Sequence, residues 1–341
     1  WLRYVEDPTI NLTSLLGTSI DGYVSVNGSD TKESTSCKFD NSKKINYVVT
    51  FMNTDNKTVL ETRKVSSGTA LGNLPSTRQY FTKTGGNGTE YTSTSTITDD
   101  ALVYPKLTKF ELDSWTTIAT NVRNGNTGDY NVGDTKEVNL GTTYGTHTLR
   151  IANTTTPSEC STSGFSQTAC GFVLEFADII TTYEMNDTDT NVGGWPASSM
   201  YDFVNYDIYN SLPSDLKSTI IDTTVISSHG STNGENFTSI DKLYLLSLKE
   251  VYSDWSTNSY SSYDSAKDLT RTLDYYINKN VTSSDDSETI KKYKTTDSWW
   301  WLREAHSNYD HSFFIVPTDD YSYLSAYANT SGGVSPAFRI G

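Results

Sequence analysis

The side chains with catalytic or metal-binding potential are few and scattered. The chain of 341 residues holds four histidines, His147, His229, His306 and His311. His306 and His311 lie five apart, which misses the i,i+4 spacing of a helical zinc pair, and no strong third ligand is evident. His229 follows Ser227 and Ser228 in "SSHGST". Those are residue types of nucleophilic catalysis, yet no Gly-x-Ser-x-Gly turn exposes a serine and no acid is assigned to orient the imidazole. Asp187, Asp189 and Asn191 alternate in "NDTDTNVGG", as in a calcium loop. An EF-hand would then need Gly at the sixth position and Glu at the twelfth. Val192 and Ser198 stand there, so Asx-turn hydrogen bonding is the simpler use of these residues. The carboxylates of "SSDDSE" and "TDD" (283–288 and 318–320) read as solvated turns, not as a glycosidase pair set at a working separation. No Gly-rich phosphate loop occurs. The expectation is a protein that is not an enzyme and needs no cofactor, with calcium the one metal worth testing.

Recognition without turnover is a better use of what the sequence concentrates. "EAHSNYDHSFFIVPTDDYSYLSAYANTS" (304–331) is dense in Tyr, Ser, Asn and Asp. Tyr supplies rigid contact area at low entropic cost, while Ser and Asn supply adaptable hydrogen bonds. Trp299, Trp300, Trp301 and Leu302 would anchor one end of this stretch in a core, and Val334, Pro336, Phe338 and Ile340 the other. The candidate ligand-binding residues are His306, Asn308, Tyr309, His311, Phe313, Asp319, Tyr321, Tyr323 and Tyr327. A polar loop of an ordinary β domain that binds nothing has the same composition, so position and residue type are all that favour display.

The formal net charge of −15 argues against nucleic acid and against an anionic membrane surface. No run of 18 apolar residues exists, so no membrane span is expected. The chain starts at Trp1 and reads as a processed or truncated product. Hydrophobic residues make up 35% and aromatics 12%, so much of the core is aromatic. Cys160 and Cys170 close the short loop "CSTSGFSQTAC" and are expected to form a disulfide, the alternative being two buried thiols; Cys37 stands alone. Asn-x-Ser/Thr triplets at Asn11, Asn27, Asn56, Asn87, Asn153, Asn186, Asn236, Asn280 and Asn329 are potential glycosylation sites. A chain this rich in Asn, Ser and Thr produces such triplets by chance as well.

The elements that must carry these residues fall into three stretches. Residues 1–40 suit a strand pair that finishes a preceding domain. Residues 41–107 read as a small β unit, with strands in "INYVVTFMN", "TVLETRKVSSGTAL" and "TSTITDDALVYPKL". "YVVTFMNTDNKTVLETRKVSSGTALGNLP" with that last strand resembles the internalin-type B-repeat, or Listeria–Bacteroides repeat. The resemblance implies a β-grasp-like spacer of bacterial surface proteins. "YFTKTGGNGTEY" departs from the Phe-x-Gly-Trp-Tyr usual there.

Residues 108–341 read as one larger domain. Ser198 suits a helix N-cap, with Met200, Phe203, Val204 and Ile208 at helical spacing behind it. "LPSDLKSTI" suits a second short helix, and "TRTLDYYIN" offers one more. "FVLEFADII", "DTTVIS", "DKLYLLSL", "WWWLR", "SFFIVP" and "VSPAFRI" suit strands. "GGWPASSMYDFVN", "DKLYLLSLKEV", "WWWLR" and "GVSPAFRI" resemble an uncharacterised domain of Firmicutes surface proteins. Its end is similar to the C-type-lectin-like fold of formylglycine-generating-enzyme relatives and of retroelement-diversified binding proteins. The lectin-type sugar-and-calcium motif and the formylglycine enzymes' cysteine pair are both absent, so neither activity follows.

The expected fold class is therefore α+β and β-rich, a β-grasp-like domain followed by a C-type-lectin-like domain with two short helices. The expected function is an extracellular cell-surface binding or adhesion module for a host or neighbouring-cell surface protein or glycan. A structural subunit of a filament, pilus or surface layer, acting by self-association, is the alternative.

Overall fold

The computed structural model describes residues 19–26, 29–38, 46–232, 234–282, 287–318 and 324–341, the first two stretches as backbone only. The chain is an α+β, β-rich protein that divides into two compact units, Trp1–Leu107 and Thr108–Gly341.

In the first unit Ser19–Val26 pairs antiparallel with Ser29–Lys38, which places Cys37 opposite Ile20. Five further strands form one sheet, in the order Val59–Ser66, Asn46–Met52, Ala101–Pro105, Tyr80–Lys83 and Asn87–Tyr91. Successive side chains of a strand face opposite ways. Tyr47, Val49 and Phe51 accordingly point inward, onto Val65, Leu71, Tyr80, Ile97 and Val103. Ala101–Pro105 runs parallel to Asn46–Met52, and Tyr80–Lys83 antiparallel to Ala101–Pro105. "YFTKTGGNGTEY", the stretch that departs from the repeat pattern, is a hairpin. Gly85 and Gly86 turn it at φ of 73° and 75°, a region glycine enters without strain.

Besides two strand pairs, Thr223–Ser227 with Phe237–Asp241 and Lys291–Tyr293 with Thr296–Ser298, the described residues of the second unit form two larger sheets. One has the order Ala337–Arg339, Val173–Phe176, Thr146–Asn153, Thr135–Asn139. The other has the order Thr181–Tyr183, Gly332–Val334, Trp300–Ala305, Ser312–Val316, Ser325–Tyr327. Trp300, Trp301, Leu302, Val334, Phe338 and Ile340 are all buried, so both ends of the Tyr-rich stretch are held in the core. The two ends also meet, because Trp300 faces Gly333 in parallel register. A Cβ on Gly332 would fall 2.1 Å from the Trp299 ring, and one on Gly333 would fall 2.7 Å from the Trp299 carbonyl. Glycine at both positions is what lets the returning chain lie against the tryptophan strand.

Ser198 caps its helix by accepting from Tyr201 N, and Met200, Val204 and Ile208 are buried behind it. Ser214–Lys217 and Asp274–Asn278 are the other two expected helices. Two more lie at the start of the unit: Lys109–Leu112, closed by a Thr108–Glu111 capping box, and Trp115–Arg123, capped by Ser114. "DKLYLLSL" is not a strand throughout. The strand is Phe237–Asp241, and Leu243 to Leu246 continue as irregular, fully buried backbone. Side chains and single bridges satisfy that backbone where a ladder would otherwise do so. Asn205 Oδ1 accepts from Leu243 N, the Arg303 guanidinium donates to Leu245 O, and Tyr244 exchanges two bonds with Ala337.

Candidate functional site

The link from Trp300–Ala305 to Ser312–Val316 is residues 306–311, and one side chain fixes its course. Asn191 is fully buried, and its Nδ2 donates to the carbonyls of His306 at 2.9 Å, Tyr309 at 2.7 Å and Ser312 at 3.0 Å. Its Oδ1 accepts from Ser231, and its backbone N–H donates to Asp310 O. Carbonyls only accept, so the amide nitrogen must be the end that faces them. Asn191 is thus a loop pin and not a calcium ligand. Asp187 and Asp189 are exposed, and among the described residues no three His, Cys, Asp or Glu side chains gather as a metal site.

Held this way, the loop builds a row of rings. His306 stacks on Tyr263 at 4.8 Å and 23° and on Tyr309 at 4.6 Å and 28°. Tyr309 stacks on His311 at 5.8 Å, and His311 lies 5.0 Å from Tyr327 on the neighbouring Ser325–Tyr327 strand. Tyr309 is 48% exposed and Tyr327 57%. Asn308 and Asp310 are exposed beside them, and Asp310 Oδ1 lies 2.9 Å from His311 Nδ1.

Two expected surface residues are not on the surface. Phe313 is fully buried, because Ser312–Val316 is an inner strand of its sheet and all five of its residues are buried. His306 is also buried, sandwiched between the two tyrosines. Its Nδ1 accepts from Asn308 N, and burial pushes its pKa down to about 4, so it is neutral at pH 7 and serves as a support for Tyr309. Asp319, Tyr321 and Tyr323 lie outside the described residues. Tyr263 and the pin Asn191 join the site without being among its expected residues. The "SYSSYDS" run at 259–265 repeats the Tyr/Ser composition of the tail, which is the signal for Tyr263.

Beneath the row lies a buried charge cluster. Arg303 is paired through both terminal nitrogens with Glu250 at 2.7 Å, and both are fully buried. Glu304 accepts from Ser228 N at 2.6 Å, and Asp264 accepts from Trp255 Nε1 at 2.8 Å. Burial pushes both of these carboxyls well above the ordinary range, and Asp264's charge raises Glu304 further. A second buried set joins Glu175 with Arg150 and Lys291. The serine–histidine stretch does not assemble a nucleophile: Ser228 is buried with its Oγ donating to Ala305 O, and His229 Nδ1 lies 2.9 Å from Gly230 O.

Residues 172–341 match the family model DUF6273, a domain of unknown function. The whole aromatic row, the Asn191 pin and the Arg303–Glu250 pair lie within that match. Arg150 and Cys160 precede it. No curated protein and no solved structure matches the chain. No helix among the described residues is long and apolar enough to cross a membrane.

Cys160 and Cys170 are joined in a disulfide, with Cα atoms 5.9 Å apart. The sequons differ sharply. Asn87, Asn280 and Asn329 are exposed. Asn153 and Asn186 are buried, and their amides are consumed by the fold. Asn153 donates to Thr155 O and Gly171 O, and Asn186 donates to Thr190 O and accepts from Ser199 N. Asn236 is half-buried and bonded to Ser265, and Asn56 is half-buried in a turn at φ 54°. Asn11 and Asn27 lie outside the described residues. Asn153 and Asn186 are therefore corrected from glycosylation sites to structural amides, since neither can carry a glycan in the folded chain.

Proposed function

We propose that residues 108–341 are the recognition head of an extracellular binding or adhesion module, and that the Tyr309–His311–Tyr327 surface is where it binds. The observation that carries this is the row itself. The exposed Tyr309 is held by a buried histidine and by a buried asparagine that spends its amide on three loop carbonyls, and the exposed Tyr327 meets the same loop at His311. A loop with no task has no need of such support, whereas pre-organised aromatic faces lower the ordering cost of binding. The Cys160–Cys170 disulfide supports an oxidising, extracellular setting. In a binding screen of surface proteins and glycans, any specific ligand should be lost on Tyr309→Ala with Tyr327→Ala. Retention of every ligand by that variant would overturn the proposal.

A second reading, a self-associating structural subunit, is favoured by one feature of the first unit. Val59–Ser66 is an edge strand with Val59 57% and Leu60 46% exposed, a template for pairing with another chain. Light scattering and negative-stain microscopy of native material separate the two, since filaments or sheets favour this reading and monomers the first.

A further inference from the structure

We infer that the aromatic row takes a polypeptide segment presenting Lys or Arg side chains, a cation seated on the face of Tyr327 at the exposed end of the row and met by the neighbouring aspartates. This rests on the reading of the row as a recognition surface.

Charge is divided unevenly along the chain. Residues 108–341 carry 15 Lys and Arg against 30 Asp and Glu, while residues 1–107 carry 11 of each. The whole net charge of −15 therefore belongs to the unit that bears the row. The stretches that build the row are also free of cations: no Lys or Arg occurs between Arg150 and Lys217, nor between Arg303 and Arg339. Asp187, Asp189 and Asp310 are exposed. Backbone bonds bring them to the row, since Asn186 N donates to Ala328 O, next to Tyr327, and Asn191 N donates to Asp310 O. Val192, 58% exposed, adds apolar contact on the same loop.

Elsewhere a few tyrosines carry the chain's own cations. Arg150 lies 3.6 Å from the Tyr275 ring centre, Lys294 5.1 Å from Tyr293 and Lys217 5.9 Å from Tyr209. Among the described residues none lies over Tyr263, Tyr309 or Tyr327. Lys267, close in sequence to Tyr263, is paired with Asp268. A tyrosine face attracts an ammonium or guanidinium through its quadrupole, and a nearby carboxylate adds to that attraction. A neutral sugar would stack on the same rings but gain little from the aspartates. An acidic partner would be repelled by them.

The test is fluorescence anisotropy of the full chain with a labelled Lys–Gly–Ser repeat peptide and with the same peptide acetylated at every lysine. Binding should weaken about tenfold or more on acetylation, and by a similar factor between about 50 and about 500 mM salt. Tyr309→Ala with Tyr327→Ala should weaken it about tenfold, and Asp310→Asn several-fold. Tyr206→Ala, at a 71% exposed position outside the row, should leave it unchanged. All these side chains are exposed, and unchanged urea midpoints will confirm that each variant folds. Equal binding of the acetylated peptide, or full binding by the tyrosine double variant, overturns the inference. A neutral glycan bound through Tyr309 and Tyr327, with no peptide binding, overturns it while leaving the recognition head intact. If neither ligand class binds through the row, both proposals fall.

Discussion

The side-chain amide of Asn191 meets the backbone carbonyl of His306 at 2.9 Å, 115 residues away in sequence, and the same nitrogen reaches the carbonyls of Tyr309 and Ser312. An NH₂ group has two hydrogens, so the three acceptors share them. Asn191→Asp would set a carboxylate oxygen against three carbonyl oxygens, and Asn191→Ala would remove the donor that His306 O shares with Tyr309 O and Ser312 O, which keep backbone partners in Ser312 N and His306 N. Each should cost about 2–4 kcal/mol in urea unfolding, with the Asp variant the worse, since unmade buried hydrogen bonds carry their full desolvation penalty. A loss under about 0.5 kcal/mol would mean that the loop holds its course without the pin.

Glu304 predicts how stability varies with pH. Its carboxyl rises from an ordinary 4.5 to about 8 in the folded chain. Between those values the folded state keeps a proton that the unfolded state has released. Stability therefore falls as pH rises through that window, and the contribution is full below the lower value and lost above the upper. Asp264, raised to about 6, acts in the same direction over a narrower range. Glu304→Gln cannot ionise. Urea midpoints at about pH 5.5 and pH 8.5 should differ much less in this variant than in the native chain. Equal pH slopes would place the Glu304 proton elsewhere.

Periodicity and caps made part of the fold legible, though not the capped helices Lys109–Leu112 and Trp115–Arg123. Tyr47, Val49 and Phe51 alternate in the sequence and alternate in burial, and Ser198 announces the helix that it caps. The apolar run "LYLLS" announced burial correctly but strand wrongly, because its backbone partners, Arg303 and Asn205, lie far away in sequence. The row was legible as composition only. Tyr309 and Tyr327 carry no local sign that they face outward, while Phe313, four residues after Tyr309, faces inward. That difference follows from the place of Ser312–Val316 as an inner strand buried on both faces, which tertiary pairing sets. Asn191 was legible as a polar residue with a purpose, but the purpose depended on carbonyls more than a hundred residues downstream.

The Cys160–Cys170 disulfide closes a loop of ten residues' separation. Cross-linking removes chain entropy from the unfolded state, by about 3 kcal/mol for a loop of this size. Cys160→Ser with Cys170→Ser should lower the unfolding free energy by about that amount and leave the near-ultraviolet circular dichroism of the tryptophan core unchanged. No change in stability on reduction would show that the Gln167 Nε2 bond to Cys160 O holds the loop by itself.

The sequons predict a pattern that glycopeptide mass spectrometry reads directly. A glycan needs its asparagine amide free and pointing to solvent. Asn280 and Asn329 are exposed, and their modification would leave the core untouched, while the exposed Asn87 gives its amide to Thr84 O. Asn153 cannot be spared. Its amide donates to Thr155 O and Gly171 O, while its Oδ1 accepts from Arg271 and from Asp274 N, so it ties the Thr146–Asn153 strand to the Asp274–Asn278 helix. Folded material secreted from a glycosylating host should therefore carry no glycan at Asn153 or Asn186, with occupancy confined to exposed positions. Asn153→Gln, with a side chain one methylene too long for four partners, should cost about 2–3 kcal/mol, whereas Asn329→Gln should change stability by less than about 0.5 kcal/mol. A glycan on Asn153 of folded protein would overturn the placement of that strand end.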